Sequence, residues 1–169
     1  VNSDSITISN SSTGKEILLN NPHIKQGGSM AKIKDDCLEL ELTPRRYQEM
    51  DDDPFILSIF ELLENKKAIV RDYSAVLLES EYKLLISGIE TLIMGNQDMI
   101  NLETIDPLLI LSINEENGNY SFKIKIILEG DVKFNSNLFE ITCNEKKLES
   151  FADALKTNLE DVKKSSKLP

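Results

Sequence analysis

The sequence predicts an α+β fold: a mainly antiparallel six-stranded sheet in βββα-βββα order, with two amphipathic helices packed on one side as a two-layer sandwich. Three observations carry this expectation. Leu38, Leu40 and Leu42 alternate with Glu39 and Glu41, the period-two pattern of a strand with one buried face. Asn117-Gly118 stands between two apolar runs and suits a tight hairpin turn, because both residues tolerate positive φ. Two later stretches, 82–93 and 148–162, repeat apolar residues every three or four positions, as a helix with one buried stripe requires.

Taken in order, strand one is centred on Leu38 to Leu42. Thr43 to Pro54 is bracketed by prolines and strongly polar, so it reads as a loop. Phe55 to Glu64 and Lys67 to Leu77 read as strands joined by a turn at Glu64-Asn65-Lys66-Lys67. Ser80 is the expected N-cap of a first helix whose stripe is Tyr82, Leu85, Ile86, Ile89, Leu92 and Ile93, ending near Gly95-Asn96. Gln97 to Asp106 reads as an irregular connection. Leu108 to Glu115 and Tyr120 to Glu129 form the Asn117-Gly118 hairpin, and Asn137 to Cys143 is the sixth strand, with Phe139, Ile141 and Cys143 inward. Asn144 caps a final helix with Leu148, Phe151, Ala152, Leu155, Leu159 and Val162 as its stripe. The two halves share a layout but no residue-level repeat.

A length of 169 residues with 40% apolar and 28% charged residues suits one globular domain with its own core. Residues 30–169 are expected to form that domain. Apolar runs such as Pro107 to Ile113 are too short to span a bilayer. Cys37 and Cys143 match no zinc or redox spacing, and are expected to be buried free thiols of a cytoplasmic protein.

Residues 1–29 differ in texture, being rich in Asn, Ser and Gly and ending in Gly27-Gly28-Ser29 before Met30. They read as a leader, a linker or a fused foreign segment to be set apart from the fold. Ser5 to Ser9 and Glu16 to Leu19 would allow a hairpin within them. The net charge of -10 is unevenly spread: residues 30–162 hold 27 acids against 14 bases, a net of -13. Such a surface repels nucleic acid and anionic membrane and speeds association with a basic partner.

The only histidine, His23, precedes Met30, so residues 30–169 offer no Ser-His-Asp or Cys-His nucleophile and no histidine-based metal site. No glycine-rich phosphate loop is present; Ser12-Thr13-Gly14-Lys15 lacks the first glycine. No cofactor is expected. Asp51-Asp52-Asp53 has neither the alternate spacing nor the glycine and distal glutamate of a calcium loop. Two readings of it remain: a solvated loop serving solubility, or an exposed edge in which Glu49, Asp51, Asp52 and Asp53 meet arginines and lysines of a partner protein. Glu115 and Glu116 at the hairpin tip pose the same choice. Arg45 and Arg46 read as local counter-charges, and Leu84, Met94 and Met99 as packing residues.

The sequence Leu38-Glu39-Leu40-Glu41-Leu42, Tyr47 in the loop that follows, Leu57-Ser58-Ile59-Phe60-Glu61, Phe122-Lys123-Ile124, and Phe139-Glu140-Ile141 ahead of Leu148-Glu149-Ser150-Phe151 resembles the WapI-like (wall-associated-protein A type) bacterial immunity proteins. The likeness spans roughly Asp36 to Asp161. It implies a cytoplasmic antitoxin of a low-GC bacterium that neutralises a cognate secreted polymorphic toxin, often a nuclease, by tight 1:1 binding.

An inhibitor needs no catalytic residues, and its acidic face can substitute for the phosphates a nuclease holds. A non-catalytic adaptor in a larger assembly would show the same lack of chemistry, with its interface on an open sheet face. A carboxylate-only enzyme of the glycosidase kind is disfavoured, because no cleft-forming insertion or aromatic platform is visible.

Overall fold

The computed structural model describes residues 30–105, 109–127 and 138–166. Its elements are β1 (Lys32–Lys34), β2 (Leu38–Tyr47), β3 (Phe55–Glu64), β4 (Lys67–Leu78), α1 (Glu79–Ile93), β5 (Met99–Glu103), β6 (Leu109–Glu116), β7 (Asn119–Ile126), β8 (Leu138–Cys143) and α2 (Glu145–Ser166). The class is α+β, but the single six-stranded sheet is not observed. There are two separate four-stranded antiparallel sheets, ordered β1-β2-β3-β4 and β5-β6-β7-β8.

The correction has a local cause. β1 and β5 escape sequence reading because each is short: β1 is Lys-Ile-Lys with Ile33 alone buried, and β5 buries only Ile100 and Leu102. Each completes a meander in its own half, and α1 separates β4 from β5, so the halves do not share a ladder. The hairpin suggested within residues 1–29 lies outside the described residues.

Thr43 to Tyr47, expected as loop, continue β2 with a bulge between Pro44 and Arg46. Pro44 is tolerated because the N–H it lacks would face the β1 side. Leu42 donates there to Ala31 O at 3.0 Å, while the β1 ladder reaches only Glu41. Asn65 and Lys66 (φ 50° and 70°), and Asn117 and Gly118 (φ 53° and 85°), close the β3–β4 and β6–β7 hairpins with positive φ at both central residues.

One apolar cluster joins the two sheets and both helices. Leu40, Leu42, Phe60 and Leu62 come from the first sheet, and Leu111, Ile113, Phe122 and Ile124 from the second. Each helix lies mainly on the sheet of the other half: α2 packs on β2 and β1, α1 on β5, and the helices touch each other. Phe151 of α2 meets Phe122 edge-on, ring centroids 5.7 Å apart at 82°. Asp35 ties the sheets together, accepting from Cys37 N and Leu38 N at 2.8 Å each and from Thr142 N of β8 at 3.3 Å. Cys143 is buried, but Cys37 is exposed at this turn, contrary to expectation.

Candidate protein-interaction site

Six acids, Glu49, Asp51, Asp52, Asp53, Glu79 and Glu81, lie in the 48–54 loop and the first turn of α1. β4 runs directly into the helix, and the cap position falls on Leu78 instead of Ser80. Glu81 makes this start stable: its carboxylate accepts from Leu78 N at 2.8 Å and, with its other oxygen, from Ile105 N at 3.0 Å. Ser80, freed from capping, donates its N–H and hydroxyl to Asp53 at 3.0 and 2.6 Å. Glu79 N donates to Pro54 O at 2.9 Å, and Gln48 N to Phe55 O at 2.8 Å, closing the 48–54 loop against the helix.

Three carboxylates, Asp53, Glu79 and Glu81, therefore surround the positive end of the helix dipole and satisfy it from within the chain. Glu79 accepts from Tyr47 OH at 3.2 Å and pairs with Lys83 at 3.0 Å and Lys163 at 3.5 Å. Burial pushes its carboxyl up, but Lys83, Lys163 and Tyr47 outweigh burial and hold it below the usual range. At Glu81 burial wins over the two backbone hydrogen bonds and raises the carboxyl.

The residues singled out in the sequence divide accordingly. Asp53 is part of the helix start. Glu49, Asp51 and Asp52 are exposed and form no ion pair with a described residue; Asp51 accepts only from Asp52 N, at 2.6 Å. Glu115 and Glu116 are exposed at the end of β6, beyond Asn114, which pairs with Met99 just after α1 ends. The two acidic groups thus lie toward opposite ends of the 15-residue α1, about 22 Å long at ~1.5 Å per residue, and the fold does not bring them together.

Sequence reading missed Tyr47 and Glu79 as partners of this end, and also Met50 and Ile105, which are 69% and 62% exposed beside it. Leu84, Met94 and Met99, expected to pack, are exposed at 61%, 64% and 46%. No group of three or more His, Cys, Asp or Glu side chains among the described residues could hold a metal ion. Among those residues no helix is long and apolar enough to cross a membrane. The chemistry on offer is charge: Glu49, Asp51 and Asp52 stand exposed on the loop held against the start of α1, whereas Glu79 and Glu81 are buried and already paired.

The comparisons with known proteins settle the family. The model of the immunity protein WapI-like family matches residues 30–163. The chain belongs to the WapI-like immunity protein family. Immunity protein WapI of Bacillus subtilis (strain 168) is 76% identical over 142 residues, covering 83% of this chain and 100% of that relative. No solved structure matches. The resemblance read from Leu38–Leu42, Leu57–Glu61 and Phe139–Ile141 is thereby confirmed, and those stretches prove to be β2, β3 and β8, the strands that supply much of the core. The chain is a bacterial immunity protein, and a protein toxin is the partner that membership implies.

Proposed function

We propose that this immunity protein acts in the cytoplasm as a non-catalytic antitoxin, binding one basic toxin domain 1:1 and so neutralising a secreted polymorphic nuclease. Glu49, Asp51 and Asp52, standing outside the hydrogen bonds that fix the helix start, carry this reading. They are charges the fold does not consume. Asp53 holds the loop in place, and Glu115 and Glu116 form a second acidic contact at the far end of α1. A binding surface of this sign meets the basic groove a nuclease uses for phosphates, and it acts on nucleic acid or membrane only by repelling them.

Residues 30–169 are the functional unit in this reading, and residues 1–29 a leader, linker or fused segment. The family match that starts at residue 30 supports the division. The test is growth protection. Cells producing a cognate toxin domain are expected to survive when they also make residues 30–169, and to lose protection with the Glu49→Gln, Asp51→Asn, Asp52→Asn variant at unchanged protein level. Equal protection by that variant would remove these residues from the contact.

A further inference from the structure

On the outer face of the second sheet, cross-strand register aligns Asn101, Ser112, Lys123 and Glu140 in one row and Met99, Asn114, Ser121 and Thr142 in the next, and sets Ile110 and Leu138 beside Lys125, so polar side chains interleave there with single apolar ones. On the first sheet, the register aligns Leu57 with Val76, places Ile59 beside Thr43, and sets Leu63 against Glu39. Leu57, Ile59, Leu63 and Val76 are only half-buried and stand apart from the apolar cluster that joins sheets and helices. At the β4 edge Tyr73 is 61% and Ile69 40% exposed. Together they form an apolar strip on the outer face of the first sheet, a face that antiparallel sheets usually turn to solvent with polar side chains.

The charge on this face is opposite to that of the molecule. Lys32 and Lys34 on β1, Arg45 and Arg46 at the β2 bulge and Arg71 on β4 face only three acids, Glu39, Glu41 and Glu61, a net of +2 in a chain of -10. The acids are already engaged: Lys32 lies 3.4 Å from Glu39 and 4.0 Å from Glu41, Thr43 Oγ1 donates to Glu41 at 2.8 Å, and Arg71 is bonded to Glu61. Lys34, Arg45 and Arg46 form no ion pair with a described residue, and Arg45 feels the charge of Glu41.

We propose that the outer face of the first sheet is a second docking surface, for a protein segment that carries carboxylates beside apolar side chains. Apolar contacts on Leu57, Ile59 and Val76 would supply adhesion, and Arg45 and Arg46 would select the sign of the partner. A second copy of the chain docking through the same face would bring together two surfaces of the same net sign, which disfavours it. A basic toxin surface suits the acidic end of α1 and not this face, so the two surfaces would hold partners of opposite charge.

The experiment is selection of a phage-displayed library of random 12-residue peptides on the full chain, followed by affinity measurements on the selected peptides. Enriched sequences are expected to combine Asp or Glu with Leu, Ile or Phe. Their affinity is expected to fall about 10-fold or more with Arg45→Glu plus Arg46→Glu, less with the milder Arg46→Gln, and not at all with Asp51→Asn plus Asp52→Asn. Circular dichroism and the Tm establish that each variant is folded, and Arg46→Gln keeps the question open to a negative answer if the double reversal unfolds. Basic peptides, peptides indifferent to Arg46, or no enrichment over an uncoated surface would overturn the proposal. So would a chain that sediments as a dimer dissociated by Leu57→Asp.

Discussion

Asp53 accepts two hydrogen bonds from Ser80, one from its backbone N–H at 3.0 Å and one from its hydroxyl at 2.6 Å, across 27 positions of sequence. The loop that carries the free acids is thereby fixed to the first turn of α1. Asp53 acts on Ser80 as an N-cap would, although it comes from a different strand connection. Asp53→Ala is therefore expected to cost about 1 kcal/mol, the usual loss on removing a helix cap. Asp51→Asn and Asp52→Asn are expected to stay within about 0.5 kcal/mol of the parent. Urea unfolding of the three variants checks the ordering.

The fully buried Tyr82 hydroxyl donates to Ser58 Oγ at 2.6 Å, and Ser58 donates in turn to Ile56 O at 3.0 Å. The two halves of this chain of bonds are unequal. Tyr82→Phe removes a donor and leaves Ser58 still bonded to Ile56, for about 1 kcal/mol. Ser58→Ala strands a phenol hydroxyl in the core and is expected to cost more, up to about 3 kcal/mol. In the double variant the loss is expected to fall below the sum of the two, because neither polar group remains; thermal or urea unfolding of all three measures it.

Two glutamates should bend the pH dependence of stability in opposite directions. Burial, partly offset by Thr43 and Lys32, raises the Glu41 carboxyl above its ordinary 4.5, so ionisation in the folded state costs stability as the pH rises through and above that value. Glu41→Gln is then expected to be more stable than the parent at pH 7, with the gain vanishing below about pH 4.5. Glu79 lies below 4.5, so its contribution is present above that pH and is lost as the pH falls through its folded value. Glu79→Gln is expected to be less stable at pH 7 and to lose less on acidification. Urea melts from about pH 3 to pH 7 resolve both signs.

Gly88 of α1 packs directly against Ile100 of β5. A Cβ there would meet Ile100 Cγ2 at 3.0 Å and Cδ1 at 3.1 Å. Alanine normally gains about 1 kcal/mol over glycine in a helix. Here the buried, β-branched Ile100 would have to give by a few tenths of an ångström, and overpacking costs about 1–3 kcal/mol. Gly88→Ala is expected to be neutral to destabilising on its own and to become stabilising when combined with Ile100→Ala relative to Ile100→Ala alone, as a double-mutant cycle in urea would read.

The long elements were legible because their periodicity is strong. Phe55–Glu64 and Lys67–Leu78 appear almost residue for residue, and Asn144 caps α2 as its position suggests, accepting from Lys147 N at 2.9 Å. What was not legible depended on context outside the segment. Ile33 on β1 and Ile100 with Leu102 on β5 are too few to signal a strand, and missing them merged two sheets into one. The strand nature of Pro44 rests on β1 beginning only at Lys32, opposite Glu41, a long-range fact. The exposed acids of the 48–54 loop could be read as acids, but the separation of Asp53 from Asp51 and Asp52 required seeing Ser80 beside it.

The most direct measurement is the association rate constant with the cognate toxin domain, by stopped flow between about 20 and 500 mM salt, for the parent and for the Glu49→Gln, Asp51→Asn, Asp52→Asn variant. The parent is expected to slow steeply with salt, and the variant to associate about 10-fold more slowly at low salt with a flatter dependence. Identical rates and identical salt slopes for the two proteins would contradict it.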